Sequence, residues 1–261
     1  MVIPTIGAVS LTQVCVRLIR AADPDLYIII VDTGTQGEEA LAALESLRDE
    51  RTEVHYIRAH GWPHASQPVA AAMDLGQALT RTRHMVAMHN DAFLTGRGAI
   101  DELLAHLGED TPVAGYQITE RPHWRFPDGS VCEDWRWMIG HTFAAFDLER
   151  LREVEIERGV VIRWDLVCGA AREGWPIETN IVDTEVFINY AFRRAGCPPK
   201  LIGTERNYKR NKNEHFDHVR SYPSAQLYCA KREPIRQQQE RWLKQAMREA
   251  RERLSLWESS P

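Results

Sequence analysis

The sequence predicts an α/β domain built on a mostly parallel central sheet flanked by helices, with a helical extension at its C-terminal end. Leu26 to Val31 is an unbroken, β-branched-rich run, the pattern of a strand buried on both faces of a parallel sheet. Strand and helix periodicities then alternate as far as residue 89, the arrangement of βαβ units joined by right-handed crossovers. A second apolar run, beginning at Met85, stops abruptly on His89, Asn90 and Asp91. In such a sheet, ligands bind at the carboxyl ends of the strands.

Taken in order, residues 9 to 22 carry Val9, Leu11, Val14, Val16, Leu18 and Ile19 with Ser10 as N-cap, a helix that Asp23-Pro24 breaks. The strand ending at Val31 stops on Asp32-Thr33-Gly34-Thr35. Glu38 to Arg48, with leucines at 41, 44 and 47 among charges, is an amphipathic helix, and Val54 to Ile57 is the next strand. Pro68 to Leu79, rich in Ala and Leu with proline near its start, is a helix leading into the strand that ends at His89. Ile100 to Leu107 reads as helix and Val113 to Ile118 as strand. Pro122 to Trp137 has neither period but holds three tryptophans, so it reads as a structured loop. His141 to Phe146 resumes a strand, and Thr184 to Ala195 is a helix capped by Asp183 or Thr184 and stopped at Gly196. Residues 200 to 222 are polar and basic and read as loop. Pro234 to Trp257 forms one charged helix with Trp242, Leu243, Ala246, Met247, Ala250, Leu254 and Trp257 on one stripe. That stripe either packs back on the domain or pairs with a second copy as a homodimer. The organisation expected is a domain over 1–222 and a helical extension over 223–261.

At 261 residues the chain sits at the upper end of what one domain holds. A net charge of −5 gives no whole-molecule attraction to nucleic acid or an anionic membrane. Its five cysteines are odd in number, far apart and without a C-x-x-C spacing, which argues against a zinc knuckle or a disulfide framework and for a reducing cytoplasm. No window approaches the roughly 18 to 20 apolar residues that span a bilayer, and no basic leader precedes Val2-Ile3-Pro4.

A carboxylate two residues after an imidazole, both just past a strand, can face a divalent cation or a phosphate together. Asn-Asp is also ordinary turn chemistry. Ile3-Pro4-Thr5, then Ile30-Val31-Asp32-Thr33-Gly34, then the strand ending on His89-Asn90-Asp91 resembles the family 2 type of glycosyltransferase, whose nucleotide-sugar domain is the Rossmann-like GT-A fold. Members read V-I-P-T-x-N, then V-V-D-D-G-S, then an aspartate-rich D-x-D, and the resemblance extends over residues 1 to 220.

The resemblance implies a nucleotide-sugar donor, most simply a UDP-sugar, with Mn2+ or Mg2+ as cofactor. Pro4, Thr5 and Asp32 would contact the nucleotide, and His89 and Asn90 would join them in the donor site. Asp91 matches the last aspartate of D-x-D, a metal ligand, while His89 stands where the first aspartate would be and Thr33 replaces the second aspartate of D-D-G-S. Imidazole is itself a competent manganese ligand. Ile139 to Phe146 resembles the family's acceptor-side segment, and Asp183-Thr184-Glu185 resembles its E-D-x-D-L element. Glu185 then falls on the general base of inverting members, with Asp183 as the competitor. His218 resembles the C-terminal histidine that completes the metal site, with His215 behind it.

The chemistry agrees with this assignment. A departing diphosphate needs its negative charge stabilised, which a metal and cationic side chains do best. Arg206, Lys209, Arg210 and Lys212 precede His218 and would close over the phosphates. A carboxylate at a helix start would take the acceptor's proton. The acceptor expected is a saccharide, which would meet the aromatic 122–137 segment, or a hydroxymethylated base in DNA, which would use the basic segment and tail. Thr33 and His89 also leave open a sugar-nucleotide-binding or scaffold protein that does no chemistry.

Overall fold

The computed structural model describes residues 1–58, 67–119, 124–125, 131–132, 139–159, 162, 164, 188–189, 192, 195–206, 210–219 and 233–259. The first strand, β1 (Val2–Thr5), is followed by α1 (Val9–Ala22), β2 (Ile28–Asp32), α2 (Glu38–Glu45), β3 (Thr52–Tyr56), α3 (Gln67–Leu79) and β4 (His84–Met88). Next come β5 (Ala92–Leu94), α4 (Ala99–Leu104), β6 (Val113–Thr119), the short pair β7 (Trp124–Arg125) and β8 (Val131–Cys132), and β9 (Ile139–Asp147). The chain continues through α5 (Leu148–Arg158), β10 (Lys200–Arg206), β11 (Arg210–Lys212), β12 (Phe216–Val219) and α6 (Glu233–Ser259).

Seven strands form the central sheet in the order β10-β6-β9-β4-β1-β2-β3. β1 runs parallel to β2 and to β4, β2 to β3, and β10 to β6, while β9 alone is antiparallel to its neighbours β4 and β6. The order has a physical consequence. From β1 the chain moves through α1 to β2 and β3 on one side, then α3 carries it back to β4 on the other side of β1. The switch point therefore lies between β1 and β4, the crevice at which such sheets bind ligands.

Alternation along the central strands divides the core in two. Ile3, Ile28 and Ile30 face a layer containing α1, α4 and α6, whereas Val2, Ile29 and Val31 face Ala70 and Met73 of α3 and Leu148, Leu151 and Val154 of α5. Because both faces are covered, the strands read as continuous apolar runs instead of alternating ones. Gly76 of α3 sits directly against Val2, where a Cβ would approach Val2 Cγ1 to 2.2 Å.

Several expectations are corrected. Helix α1 begins at Val9 with Ala8 at the N-cap, so Ser10 lies inside the first turn and caps nothing. Helix α5 is not among the expected elements: Leu148, Leu151 and Val154 form its short buried face, and its ends are set by the Asp147 side chain accepting from Arg150 N–H and by Gly159 in the left-handed conformation at φ 63°.

The 200–222 segment is not a loop where it is described. β10 extends the central sheet beside β6, and β11 and β12 form a hairpin that joins β5 in a separate three-stranded sheet. Its polarity misleads because charged residues there are buried against one another: Glu205, Asp217 and His218 are fully buried. The 122–137 segment contributes the β7–β8 pair; its remaining residues, and the start of the expected Thr184–Ala195 helix, lie outside the described residues.

The stripe on α6 packs back on its own chain. Leu243, Ala246, Ala250 and Leu254 are buried in the same core as α1, and Arg253 donates to the carbonyl of Leu94 at 2.6 Å. Arg210 bonds Asp217 and, at 2.6 Å, Glu249 of α6, which Lys212 also reaches at 2.7 Å. The tail helix is thus bolted to the β5–β12 sheet. Among the described residues no helix is long and apolar enough to cross a membrane.

Candidate metal centre

The site forms where β1, β2 and β4 end side by side. Thr5 pairs with Asp32 across β1 and β2, and Asn90 donates from its amide to Thr5 Oγ1 at 2.8 Å and to Thr12 Oγ1 at 3.1 Å. The two threonine hydroxyls bond each other at 3.0 Å, which completes a buried polar tie between β1, α1 and the end of β4. Thr5 and Asn90 therefore shape this floor through buried hydrogen bonds, and Pro4 lies in β1 opposite Val31. His89 is positioned by its own backbone, whose N–H donates to Thr142 O of β9 at 3.0 Å.

Asp91 turns inward directly before β5. β12 pairs with β5 so that His218 stands opposite Ala92, which brings a residue far away in sequence beside Asp91. His218 Nε2 is 3.2 Å from Asp91 Oδ1, and His89 Nδ1 is 3.6 Å from the same oxygen. Asp91 and His218 are buried, and His89 retains 23 % of its side-chain exposure, so the cluster opens to solvent on the His89 side. The rings of His89 and His218 meet edge to face at 5.3 Å, and His141 of β9 meets His89 edge-on at 4.1 Å between centroids. His218 Nδ1 bonds the buried Glu205 carboxylate at 2.9 Å. A carboxylate acceptor there keeps the proton on Nδ1 and turns Nε2 toward Asp91.

Electrostatics follow from these contacts. Burial, reinforced by His141, pushes the His89 imidazole down to about 4, so it is neutral at pH 7 and its nitrogen lone pair is available. Burial acts to lower His218 too, but Asp91 and Glu205 on either side raise it to about 9. Burial acts to raise Asp91, yet the neighbouring His218 cation outweighs it and holds the carboxyl well below its usual range.

This donor set fits a divalent cation. Both Asp91 carboxylate oxygens and His218 Nε2 are buried with no aligned hydrogen-bond partner among the described residues, a costly state for such groups unless something else binds them. The ligand atoms of His89, Asp91 and His218 all lie within 4.8 Å of one another. A first-row ion with bonds of about 2.0 to 2.2 Å sets adjacent ligand atoms roughly 3 Å apart, which the 3.2 Å and 3.6 Å separations approach.

The remaining sequence-derived residues are distributed as follows. Asp32 is fully buried at the end of β2, accepting from Thr35 N–H and hydroxyl and from Arg58 Nη1 at 3.0 Å. Arg210 faces Asp217 and Glu249, a structural tie that leaves little of its guanidinium for a phosphate. His215 is not among the clustered ligands; its ring is bonded to Tyr116 and to Glu102. Arg206 ends β10, while Lys209, Asp183 and Glu185 lie outside the described residues. Three contributors escaped the sequence reading. Arg58 stands over the Tyr56 ring at 4.4 Å beside Asp32, and a basic residue just past β3 was its only signal. His141 and Glu205 became visible only through strand pairing.

No protein-family model and no curated protein matches this chain. Solved structures do. TarS 1–349 of S. aureus superposes with a TM-score of 0.50 at 10% identity, over 87% of this chain and 62% of TarS 1–349. The same protein in complex with UDP-GlcNAc gives 0.49 at 10% identity over 82% and 59%. The galactosyltransferase LgtC in complex with donor and acceptor sugar analogues gives 0.46 at 12% identity over 79% and 72%. The chain spans less than two thirds of TarS 1–349. Its architecture is a GT-A fold like that of TarS 1–349, a Rossmann-like, mostly parallel sheet flanked by helices, and it carries a C-terminal helix.

Proposed function

We propose that this chain is a metal-dependent glycosyltransferase that moves a sugar from a nucleoside diphosphate sugar, a UDP-sugar in the first instance, to a hydroxyl acceptor with inversion. The observation that carries the reading is the convergence of His89, Asp91 and His218 at the switch point of a GT-A sheet, with both Asp91 oxygens and His218 Nε2 buried and without an aligned hydrogen-bond partner among the described residues. The uridine assignment follows TarS 1–349, which has been solved with UDP.

Each group has a task in this reading. Asp91 and the two imidazoles would hold the cation, which when bound would supply positive charge for the departing diphosphate. Asp32, at the end of the neighbouring strand, accepts a hydrogen bond from the nucleotide base, with Arg58 and Tyr56 forming the wall beside it. Arg206 and Lys209 meet phosphate oxygens. Glu185, or Asp183 two residues earlier, takes the proton from the attacking hydroxyl. The acceptor is a saccharide; a modified base in DNA would instead make acceptor binding fall steeply as salt rises. Free, buried Cys15 and Cys197 accord with a cytoplasmic protein.

Calorimetric titration of UDP with and without manganese, repeated on Asp91→Ala, tests the reading. Metal-dependent binding lost in the variant supports it, and no nucleotide binding under any condition overturns it. Binding without sugar transfer to any acceptor, water included, would favour a sugar-nucleotide-binding protein, the reading that the Thr33 and His89 departures allow.

A further inference from the structure

We propose that this centre selects nitrogen-favouring transition ions such as Co2+, Zn2+ and Mn2+ and discriminates against Mg2+, because imidazoles and not carboxylates supply most of its protein donors. The inference rests on the reading of His89, Asp91 and His218 as the cation ligands, and deepens it by naming the ion class.

The donor set consists of two imidazole nitrogens and one carboxylate. Mg2+ demands hard oxygen ligands and gives up its water reluctantly, so a site offering it a single anionic oxygen repays little of that cost. Ions later in the first row gain from imidazole in the order Mn2+, Fe2+, Co2+, with Zn2+ also strong.

Other carboxylates near the centre are already committed. Glu205 faces Nδ1 of His218, the side away from Asp91, and Asp32 is engaged by Thr35 and Arg58. The Asn90 side-chain nitrogen is spent on Thr5 and Thr12. The imidazoles are also fixed in place. His89 is wedged between the rings of His141 and His218, and His218 is held from behind by Glu205 in a sheet position opposite Ala92. A centre whose nitrogen ligands are held in place discriminates by donor type, since replacing His218 with water leaves its buried Nε2 without a partner.

The test titrates the metal-free full-length chain separately with CoCl2, ZnCl2, MnCl2 and MgCl2 by calorimetry, and records the visible absorption of the Co2+ form. The wild-type protein is expected to bind Co2+ and Zn2+ at least 100-fold more tightly than Mg2+, with Mn2+ between, and to show Co2+ bands of nitrogen-containing ligation. His89→Asp, which trades a nitrogen for a carboxylate, should narrow the Co2+ to Mg2+ ratio at least tenfold, and His89→Gln should weaken Co2+ without strengthening Mg2+. Mg2+ binding within tenfold of Co2+, with both lost in Asp91→Ala, would overturn the selectivity while leaving the cation site standing. Absence of any cation binding, or binding indifferent to Asp91→Ala, would overturn the site itself.

Discussion

Replacing Glu205 by alanine removes the carboxylate that His218 Nδ1 bonds from behind, and its effect can be worked from the geometry. The carboxylate is fully buried and lies 2.9 Å from His218 Nδ1. Without it, the ring can rotate, and when the imidazolium gives up one proton to make room for a cation, the proton that stays can be the one on Nε2, the nitrogen facing Asp91 at 3.2 Å. A proton there blocks the lone pair a cation needs. Carboxylates of this kind contribute about 10- to 100-fold to metal affinity, or roughly 1.4 to 2.7 kcal/mol. Glu205→Ala should weaken manganese binding by that factor, and Glu205→Gln, which retains an acceptor without the charge, by less. The assay is calorimetric titration of manganese into the metal-free protein, with circular dichroism to verify the fold. Unchanged affinity in a folded Glu205→Ala protein would refute the argument that Glu205 orients His218.

Three further outcomes are expected. Glu249 is held down to about 2, first by its hydrogen bond from Arg210 and then by Lys212 and Gln245. A depressed carboxyl stabilises the fold above its unfolded value near 4.5 and loses that contribution as pH falls toward 2, so Glu249→Gln should lower stability at pH 7 by about 1 to 2 kcal/mol after solvent screening and by little at pH 2, read from thermal melts. Gly76→Ala gains about 1 kcal/mol of helix propensity but drives a Cβ to 2.2 Å from the buried Val2 side chain; overpacking of about 1 to 3 kcal/mol should win, and urea denaturation should register a net loss that Val2→Ala in the same chain partly restores. Leu254→Ala, at the end of the docked stripe, should cost about 2 kcal/mol, and hydrogen exchange should speed in α6 before the central sheet.

Much of the architecture was legible because it is written in local periodicity. The run at residues 28–32, the β4 run ending on His89, and the α6 stripe each declare an element through spacing alone, and each forms within a few residues of where the pattern puts it. Helix α5 was illegible by that means because its stripe is short, Leu148, Leu151 and Val154 among charged residues with the apolar Ile156 exposed off that face, while Asp147 and Gly159 mark its ends. β10 to β12 were illegible for a different reason. Hydropathy assumes that charge means exposure, and there Glu205, Asp217 and His218 are buried by pairing with His218, Arg210 and Asp91.

The sequence by itself determined the alternation of strands and helices, the two covered faces of the sheet, and the placement of Asp32 and the His89-Asn90-Asp91 triplet at strand ends. Those depend on short-range spacing and on the rule that ligands meet the carboxyl ends of parallel strands. Only the tertiary structure decided that His218 reaches Asp91, that Glu205 stands behind it and that His141 braces His89. Each is a contact between side chains on different strands, created by the pairing of β12 with β5, of β10 with β6 and of β9 with β4. It likewise decided that the α6 stripe closes on α1, because an apolar stripe states how much surface must be buried but not what will cover it.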